Sequence, residues 1–413
     1  MNAGLRIALI GSSRFPVRQP FAGGLEAHVW HLARALAARG HDVSLFAAPG
    51  SDPGQGSQTL AVRHLALSDA ARTDSSMPAA TFMADHHAYL TLMLQLARWG
   101  AEHFDLIHNH SLHHLPVAMA PMLPIPMLTT LHTPPTPWLE SALDAAPGAG
   151  TKLAAVSRHT AAAWQHAADQ IAVVPNGIDI RRWPMGSGGP HLVWFGRITP
   201  EKGTHLAIAA AQRAGMPLVL AGPISDRNYF AEQVAPLLRG STRYAGHLSQ
   251  DALARLVGRS AAALVTPQWD EPYGLVVAEA MACGTPVVAF DRGGISELVV
   301  AQAGRLVPPG DVAAMAAAIP EAIRLSRVRI RKHARQRCSL TATLRGYQRL
   351  YRQILLDVGD GNDDRVLRAP PRLWTSGPSH QYWRAYAPSS HGIDQPGDAG
   401  PASVRSRREA STR

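Results

Sequence analysis

Short apolar runs recur along the chain, each followed by a glycine- or proline-bearing loop and then by a stretch with apolar residues at helical spacing. Residues 5–10 read as a strand that ends in the turn Gly11-Ser12-Ser13. A loop follows, Gly23-Gly24 opens a helix over 25–39, and 42–48 is the next strand. Strand, glycine loop, helix, strand is a βαβ unit. The alternation continues with a strand near 60–65, a helix over 82–99, strands over 104–108, 127–131 and 152–157, a helix over 158–168 and a brief strand over 171–174. Pro175-Asn176-Gly177 is turn chemistry, and Gly186 to Pro190 (GSGGP) reads as a flexible linker. A second series then begins, with strands over 191–195, 217–221, 261–266 and 285–290 and helices over 204–214, 249–259, 275–282 and 312–319. The strands are continuous apolar runs, as expected where both faces of a parallel sheet are covered. The pattern predicts an α/β chain of two Rossmann-like domains, 1–178 and 179–340. A terminal helix over 341–357 and an extension over 358–413 follow, the latter read as disordered from its Pro, Gly, Ser, Asp and Arg content.

Composition narrows the class. At 413 residues, 46% hydrophobic and 17% charged, the chain can bury two full cores. The apolar stretch 115–131 carries Pro116, Pro121, Pro124 and Pro126, which would break a spanning helix. The start, MNAGLRIALIGSS, runs directly into a strand and shows no secretory n-region. Cys283 and Cys338 make neither a disulfide framework nor a metal spacing, so a reducing cytoplasm is the expected location. The formal net charge of +10 comes almost wholly from arginine, since Lys152, Lys202 and Lys332 are the only lysines. No nucleic-acid motif accompanies the charge. An anionic membrane at the inner cytoplasmic face, or an acidic acceptor, is the partner it admits. There is no G-x-G-x-x-G after the first strand, which counts against a nicotinamide protein.

The candidate chemistry centres on DEPYGLVVAEAMACGTPVVAF, residues 270–290. Pro272 and Gly274 lead into a short apolar helix that Gly284 stops. A helix N-terminus offers free N–H groups and partial positive charge to a phosphate, and glycine at 274 leaves room for close approach. Glu271 and Glu279 cannot serve a phosphate but can accept hydrogen bonds from sugar hydroxyls. Glu279 lies within an apolar run, where a lone carboxylate is costly. Upstream, Arg197 and Lys202 flank one glycine-bearing loop, GRITPEKG, at the carboxyl end of a strand, where they can grip phosphate oxygens. Strand 127–131 delivers His132 into Thr133-Pro134-Pro135, at the end of a parallel sheet where ligands bind. His108, His110, His113 and His114 invite a metal. No carboxylate or cysteine stands with them at ligand spacing, and no metal is assigned.

The phrase EPYGLVVAEAMACGTPVV, with Glu271-x7-Glu279, resembles the signature of retaining glycosyltransferases of family 4. GGLEAHVWHLARALAARGHDVSLF, TLHTPP, VPNGID, GRITPEKG and YAGHLS resemble that family in the same order, over roughly 1–356. The resemblance implies a GT-B fold: two Rossmann-like domains facing each other across a cleft, with a terminal helix crossing back to the first. It implies an enzyme that moves a sugar from a nucleoside-diphosphate sugar to an acceptor hydroxyl with retention, without a cofactor or a required metal. By that resemblance Glu271 contacts the donor sugar, Glu279 the ribose hydroxyls, and Tyr273, Gly274 and Leu275 hold the diphosphate by backbone amides. Arg197 and Lys202 neutralise the leaving diphosphate, and His132 faces the donor sugar. Gly23 and Gly24 approach phosphates and acceptor, while Gly246, His247 and Leu248 border the base. UDP is the expected nucleotide, with GDP next. A silent nucleotide-sugar-binding protein and a GT-B sugar-nucleotide epimerase are the alternatives.

Overall fold

The computed structural model describes residues 4–52, 57–61, 65, 67–76, 79–148 and 150–360. The amino-terminal lobe is a seven-stranded sheet built from β1 (Arg6–Ile10), β2 (Asp42–Ala47), β3 (Ser57–Ala61), β4 (Leu106–Asn109), β5 (Met127–Leu131), β6 (Thr151–Ala155) and β7 (Ile171–Val173). Its order is β3-β2-β1-β4-β5-β6-β7, and every pairing is parallel. The second lobe has a six-stranded sheet of β8 (Leu192–Phe195), β9 (Leu218–Ala221), β10 (Thr242–Tyr244), β11 (Ala263–Val265), β12 (Val287–Phe290) and β13 (Gly304–Val307). Its order, β10-β9-β8-β11-β12-β13, is again wholly parallel. β1, β4, β5, β8, β9, β11 and β12 are buried almost without interruption because helices cover both sheet faces. The order in which strands are added reverses once in each sheet, at β1/β4 and at β8/β11, and such switch points leave a crevice beyond the carboxyl ends of the strands.

The chain crosses between lobes twice, and the two crossings hold each other. Ile178 pairs with Ser339 as a parallel bridge; the Ile178 amide donates to Cys338 and the Leu340 amide donates to Ile178. Helix Leu340–Asp360 then packs on the amino-terminal lobe, sinking Leu344, Tyr347, Tyr351 and Ile354 among Ile7, Leu9, Leu36 and Val174. Among the described residues no helix is long and apolar enough to cross a membrane.

Several sequence expectations shift. The strand read near 60–65 is found at Ser57–Ala61, and the helix read over 158–168 ends at Ala163. Trp164 stops it by turning its ring into the core, where its indole donates to the Thr133 carbonyl at 2.8 Å. The helix over 82–99 runs longer, Ala80–His103, while His114–Ala118 and the π-turn Phe230–Val234 give no periodic signal in sequence. The extension lies outside the described residues from 361 on. The GSGGP segment is the clearest correction. It is packed against Gly258 and Arg259 so closely that a Cβ on Gly186 would stand 2.0 Å from the Gly258 carbonyl oxygen.

Arg327 explains how that segment is held. Its guanidinium donates to the carbonyls of Gly186 (3.0 Å), Ser260 (3.1 Å), Gly258 (2.8 Å) and Cys283 (3.2 Å) and to the Thr285 hydroxyl (2.9 Å). Arg331 donates to Trp183, Ala282 and Ile180 in the same way. Part of the arginine excess is therefore internal scaffolding, with Arg324, Arg329, Arg335, Arg345, Arg349 and Arg352 left on the surface. Arg327→Ala strands several half-buried carbonyls and is expected to cost on the order of 3 kcal/mol. A urea titration checks it: the midpoint falls at constant slope, and an unchanged midpoint would show that the clamp adds nothing.

Candidate active site

The loop after β8 and the loop after β11 bring together the charges that the sequence separates by some seventy positions. Lys202 sits at the end of the short turn Pro200–Lys202, and its ammonium lies 2.5 Å from Glu271 Oε2. Both side chains are mostly buried, so this pair is worth more than a surface one. The Trp269 indole N–H donates to the same carboxylate oxygen at 3.1 Å, and Lys202 stands 4.8 Å from the Trp269 ring centre. Trp269 thus fixes both partners, a role that sequence reading missed although the residue sits one position before the acidic loop. Arg197 is held less tightly, 3.6 Å from Glu201 and half exposed to the cleft.

Two helix starts face each other here. Gly274 adopts φ +92 as the residue before helix Leu275–Ala282, a conformation that favours glycine. Opposite, Gly23 and Gly24 begin helix Gly24–Ala37. A Cβ on Gly24 would lie 3.0 Å from Leu275 Cδ1, and one on Gly23 would lie 3.7 Å from Arg197 Cδ. The absence of side chains at both positions lets the lobes approach. Two positive dipole ends and two cationic side chains therefore converge on one place.

The cavity between the lobes has a volume of about 590 Å³. Gly23, Gly24, His132, Arg197, Lys202, Glu271, Gly274, Leu275 and Glu279 all line it, as do His247 and Leu248. Gly246 does not. Its left-handed backbone and its carbonyl, which accepts from the Gly222 amide, shape the turn that presents His247 and Leu248. Tyr273 borders the cavity, but its ring is 3% exposed and packs in the core of the second lobe. It can contribute backbone there, and its phenol is turned away into the core. Residues not anticipated from sequence also line the cavity, among them Phe21, Asn176 and Gln250. His247 reaches across to the Phe21 carbonyl at 3.0 Å and Gln19 to Gln250 at 3.2 Å, so the lobes touch here.

Glu279 is the most informative acid. Burial pushes its carboxyl up to about 8, and it has no hydrogen-bond partner among the described residues. It opens onto the cavity while its neighbours Val277, Ala278 and Ala280 are fully buried. A carboxyl left in this state awaits hydroxyl donors from a ligand. Glu297, by contrast, accepts from the amides of Arg158 and His159 and so caps helix Arg158–Ala163 of the other lobe.

Residues 179–337 match the family model for glycosyl transferases group 1, and residues 22–182 match that for glycosyltransferase family 4. The chain is 32% identical over 357 residues to a glycogen synthase of Mycobacterium tuberculosis, a match covering 76% of this chain and 85% of that protein. The chain belongs to the family 4 glycosyltransferases. A D-inositol 3-phosphate glycosyltransferase of Acidothermus cellulolyticus is 27% identical over 371 residues, covering 76% of this chain and 82% of the relative. Among solved structures, sucrose-phosphate synthase from Thermosynechococcus elongatus superposes with a TM-score of 0.69 at 22% identity, over 85% of this chain and 99% of the other. Anabaena HepE, solved with UDP and glucose, gives 0.66 at 19% identity over 84% and 99%. These structures establish the GT-B fold of the glycosyltransferase.

Behind the cleft of this glycosyltransferase lies a cluster of imidazoles that the strand pattern brings together. His108 and His110 occupy alternate positions on and just after β4, so they share one sheet face, with ring centres 3.9 Å apart. His132 follows β5, and His28 comes from helix Gly24–Ala37. The adjacency of His113 and His114 obscured this in sequence, whereas the i, i+2 spacing of His108 and His110 was the usable signal. His28, His110 and His132 lie near enough to one another to be considered as metal ligands, as do His86, His113 and His114.

Burial lowers these imidazoles: His132 to about 3, His31 and His113 to about 4, and His28, His108 and His110 well below the ordinary range. In the unfolded chain each takes a proton near pH 6.5. Below that pH the unfolded state binds more protons, so stability falls with falling pH. Burial of Glu279 and Glu26 acts oppositely by raising their carboxyls, but the histidines outnumber them. The melting temperature is therefore expected to drop between pH 7 and pH 5, before most carboxylates titrate. A flat profile over that interval would contradict the neutral buried cluster.

Proposed function

We propose that this glycosyltransferase transfers a sugar from a nucleoside-diphosphate sugar to an acceptor hydroxyl with retention of anomeric configuration. The observation that carries the reading is the meeting of Arg197, Lys202 and two helix N-termini with the unpartnered carboxyl of Glu279 in one interlobe cavity. Cations and dipole ends suit a diphosphate, and a carboxyl beside them suits sugar or ribose hydroxyls. The solved complexes of Anabaena HepE with UDP and with UDP-glucose support UDP as the first nucleotide to test, with GDP next.

In this reading the bond from the anomeric carbon to the diphosphate oxygen breaks as the acceptor oxygen bonds to the same face. The acceptor proton passes to an oxygen of the departing phosphate. Arg197, Lys202 and the amides at Gly274 and Leu275 stabilise the charge that develops on the leaving group. Such preorganised stabilisation is usually the largest catalytic contribution. Glu271, steadied by Lys202 and Trp269, faces the donor sugar, and His132 lies on the opposite wall. With positive charge supplied by side chains and backbone, the reaction needs no metal ion, so EDTA should leave turnover intact. The acceptor approaches from the amino-terminal lobe.

Screening UDP, GDP and ADP by thermal shift identifies the base, since the bound nucleotide raises the melting point by mass action. With the matching donor, Arg197→Ala and Lys202→Ala are each expected to lower turnover about 10²–10³-fold. NMR of the product's anomeric proton should show the donor's configuration. Near-normal turnover in both variants, or an inverted product, would overturn the reading. Conversion of the donor sugar with no acceptor present would point to an epimerase.

A further inference from the structure

The charge of this chain is concentrated in one stretch. Residues 322–356 hold ten arginines and lysines and no aspartate or glutamate, while the remaining 30 cations are matched by 30 acids. The whole formal charge of +10 therefore belongs to this stretch. The acids that bound it are engaged outside it, Glu321 with Arg305 at 2.9 Å and Asp357 with Lys152 at 3.3 Å. Residues 361–413 cannot neutralise it either, since they hold eight cations and five acids.

Two of the ten cations, Arg327 and Arg331, are the internal clamps on backbone carbonyls. The other eight are exposed, and none forms an ion pair among the described residues. Helical spacing sorts most of them onto outward faces. Helix Leu340–Asp360 sinks Leu344, Tyr347, Tyr351 and Ile354 and turns out Arg345, Arg349, Arg352 and Leu356, at i, i+4, i+7 and i+11. Helix Arg327–Arg337 buries Ile330, His333 and Ala334 and turns out Val328, Arg329, Lys332 and Arg335. Each cationic face thus carries an aliphatic side chain in water, Leu356 at 66% and Val328 at 64% exposure.

Charge of one sign without counter-charge repels itself in the folded chain, and an anionic surface relieves it. An aliphatic side chain in water gains by entering an apolar medium. A bilayer with anionic headgroups offers both, negative charge at its surface and the acyl boundary just beneath. A nucleic acid answers only the cations, because its phosphates give Val328 and Leu356 nothing to enter. Tyr347 and Tyr351, the only Phe, Tyr or Trp residues of the stretch, are buried, so no such ring is offered for a base to stack on.

We propose that the outward faces of helices Arg327–Arg337 and Leu340–Asp360 form a docking surface for an anionic lipid bilayer, with Val328 and Leu356 entering between the headgroups. Attachment is peripheral: among the described residues no helix is long and apolar enough to cross a membrane. None of the outward residues lines the interlobe cavity, so docking is independent of the donor's identity.

Sedimentation of the full-length protein reads the contact, with vesicles of phosphatidylcholine containing about one quarter phosphatidylglycerol beside vesicles of phosphatidylcholine alone. The protein should sediment with the anionic vesicles only, and less as salt rises. Each cation near such a surface is worth about fivefold in affinity, so Arg345→Gln, Arg349→Gln and Arg352→Gln together should weaken binding about a hundredfold. Val328→Ser with Leu356→Ser keeps every charge and should still weaken binding about tenfold. Arg213→Gln, Arg239→Gln and Arg243→Gln together remove three exposed cations outside the stretch and should leave binding unchanged. Melting temperature and nucleoside diphosphate affinity should match the parent in all three variants, which separates lost docking from lost fold. Failure to sediment with either vesicle, equal sedimentation with both, or full binding by the first or second variant would overturn the proposal. An equal loss in the third would show that net charge acts without a defined surface and would overturn it too. Binding of duplex DNA in place of the vesicles would give the surface to nucleic acid instead.

Discussion

Two helix N-termini pointed at each other across a narrow gap repel unless negative charge lies between them. In this glycosyltransferase helix Gly24–Ala37 and helix Leu275–Ala282 are so placed, with Gly24 and Leu275 almost in contact, and Arg197 and Lys202 add two full charges to the same gap. Parallel sheets make this unavoidable. In a parallel sheet the strands end, and the helices that follow them begin, on one side, and the crevice lies there at the switch point. Glu201 and Glu271 hold Arg197 and Lys202, and the carboxyl of Glu279, raised to about 8 by burial and so mostly protonated at neutral pH, adds little. An anion entering the gap can displace these partial compensations. On the proposed reading the arrangement is prepared for a diphosphate before one arrives, and that is the condition for stabilising it as a leaving group.

The rest of the molecule maintains that gap. Arg327 and Arg331 bind backbone carbonyls of the linker and of the strand and helix ends around it, so the second lobe keeps a fixed edge toward the first. Helix Leu340–Asp360 closes the other side, carrying Tyr347 and Tyr351 into the amino-terminal core beneath the imidazole cluster. The cluster is kept dry and neutral, and it presents one histidine to the cavity. Tyr351, which anchors the crossing helix, bonds His108 of that cluster at 2.7 Å.

Much of this was legible in the sequence because its signals are local. Alternating apolar runs and glycine turns gave two parallel sheets, and GRITPEKG and EPYGLVVAEAMACGTPVV carried the cations, the glycine and both glutamates of the cavity within short spans. Gly274 with its positive φ and the helix Leu275–Ala282 follow the local reading closely. What was hidden depends on long-range assembly. The imidazole cluster joins positions 28, 108, 110 and 132 to Tyr347 and Tyr351, which only the sheet order and the returning helix bring together. The GSGGP segment misled for a different reason: glycine permits flexibility, but here it permits contact with the Gly258 backbone. Tyr273 and Gly246 show the same limit, since a residue beside a site can face away from it or merely shape its turn.

The central claim is that the converging charges exist for a diphosphate. Calorimetric titration of the enzyme with a nucleoside diphosphate and with the corresponding nucleoside, at two salt concentrations, tests it most directly. The diphosphate should bind at least about a hundredfold more tightly, a difference of roughly 2.7 kcal/mol, and the advantage should shrink as salt rises. Equal affinity for the two, unaffected by salt, would contradict it.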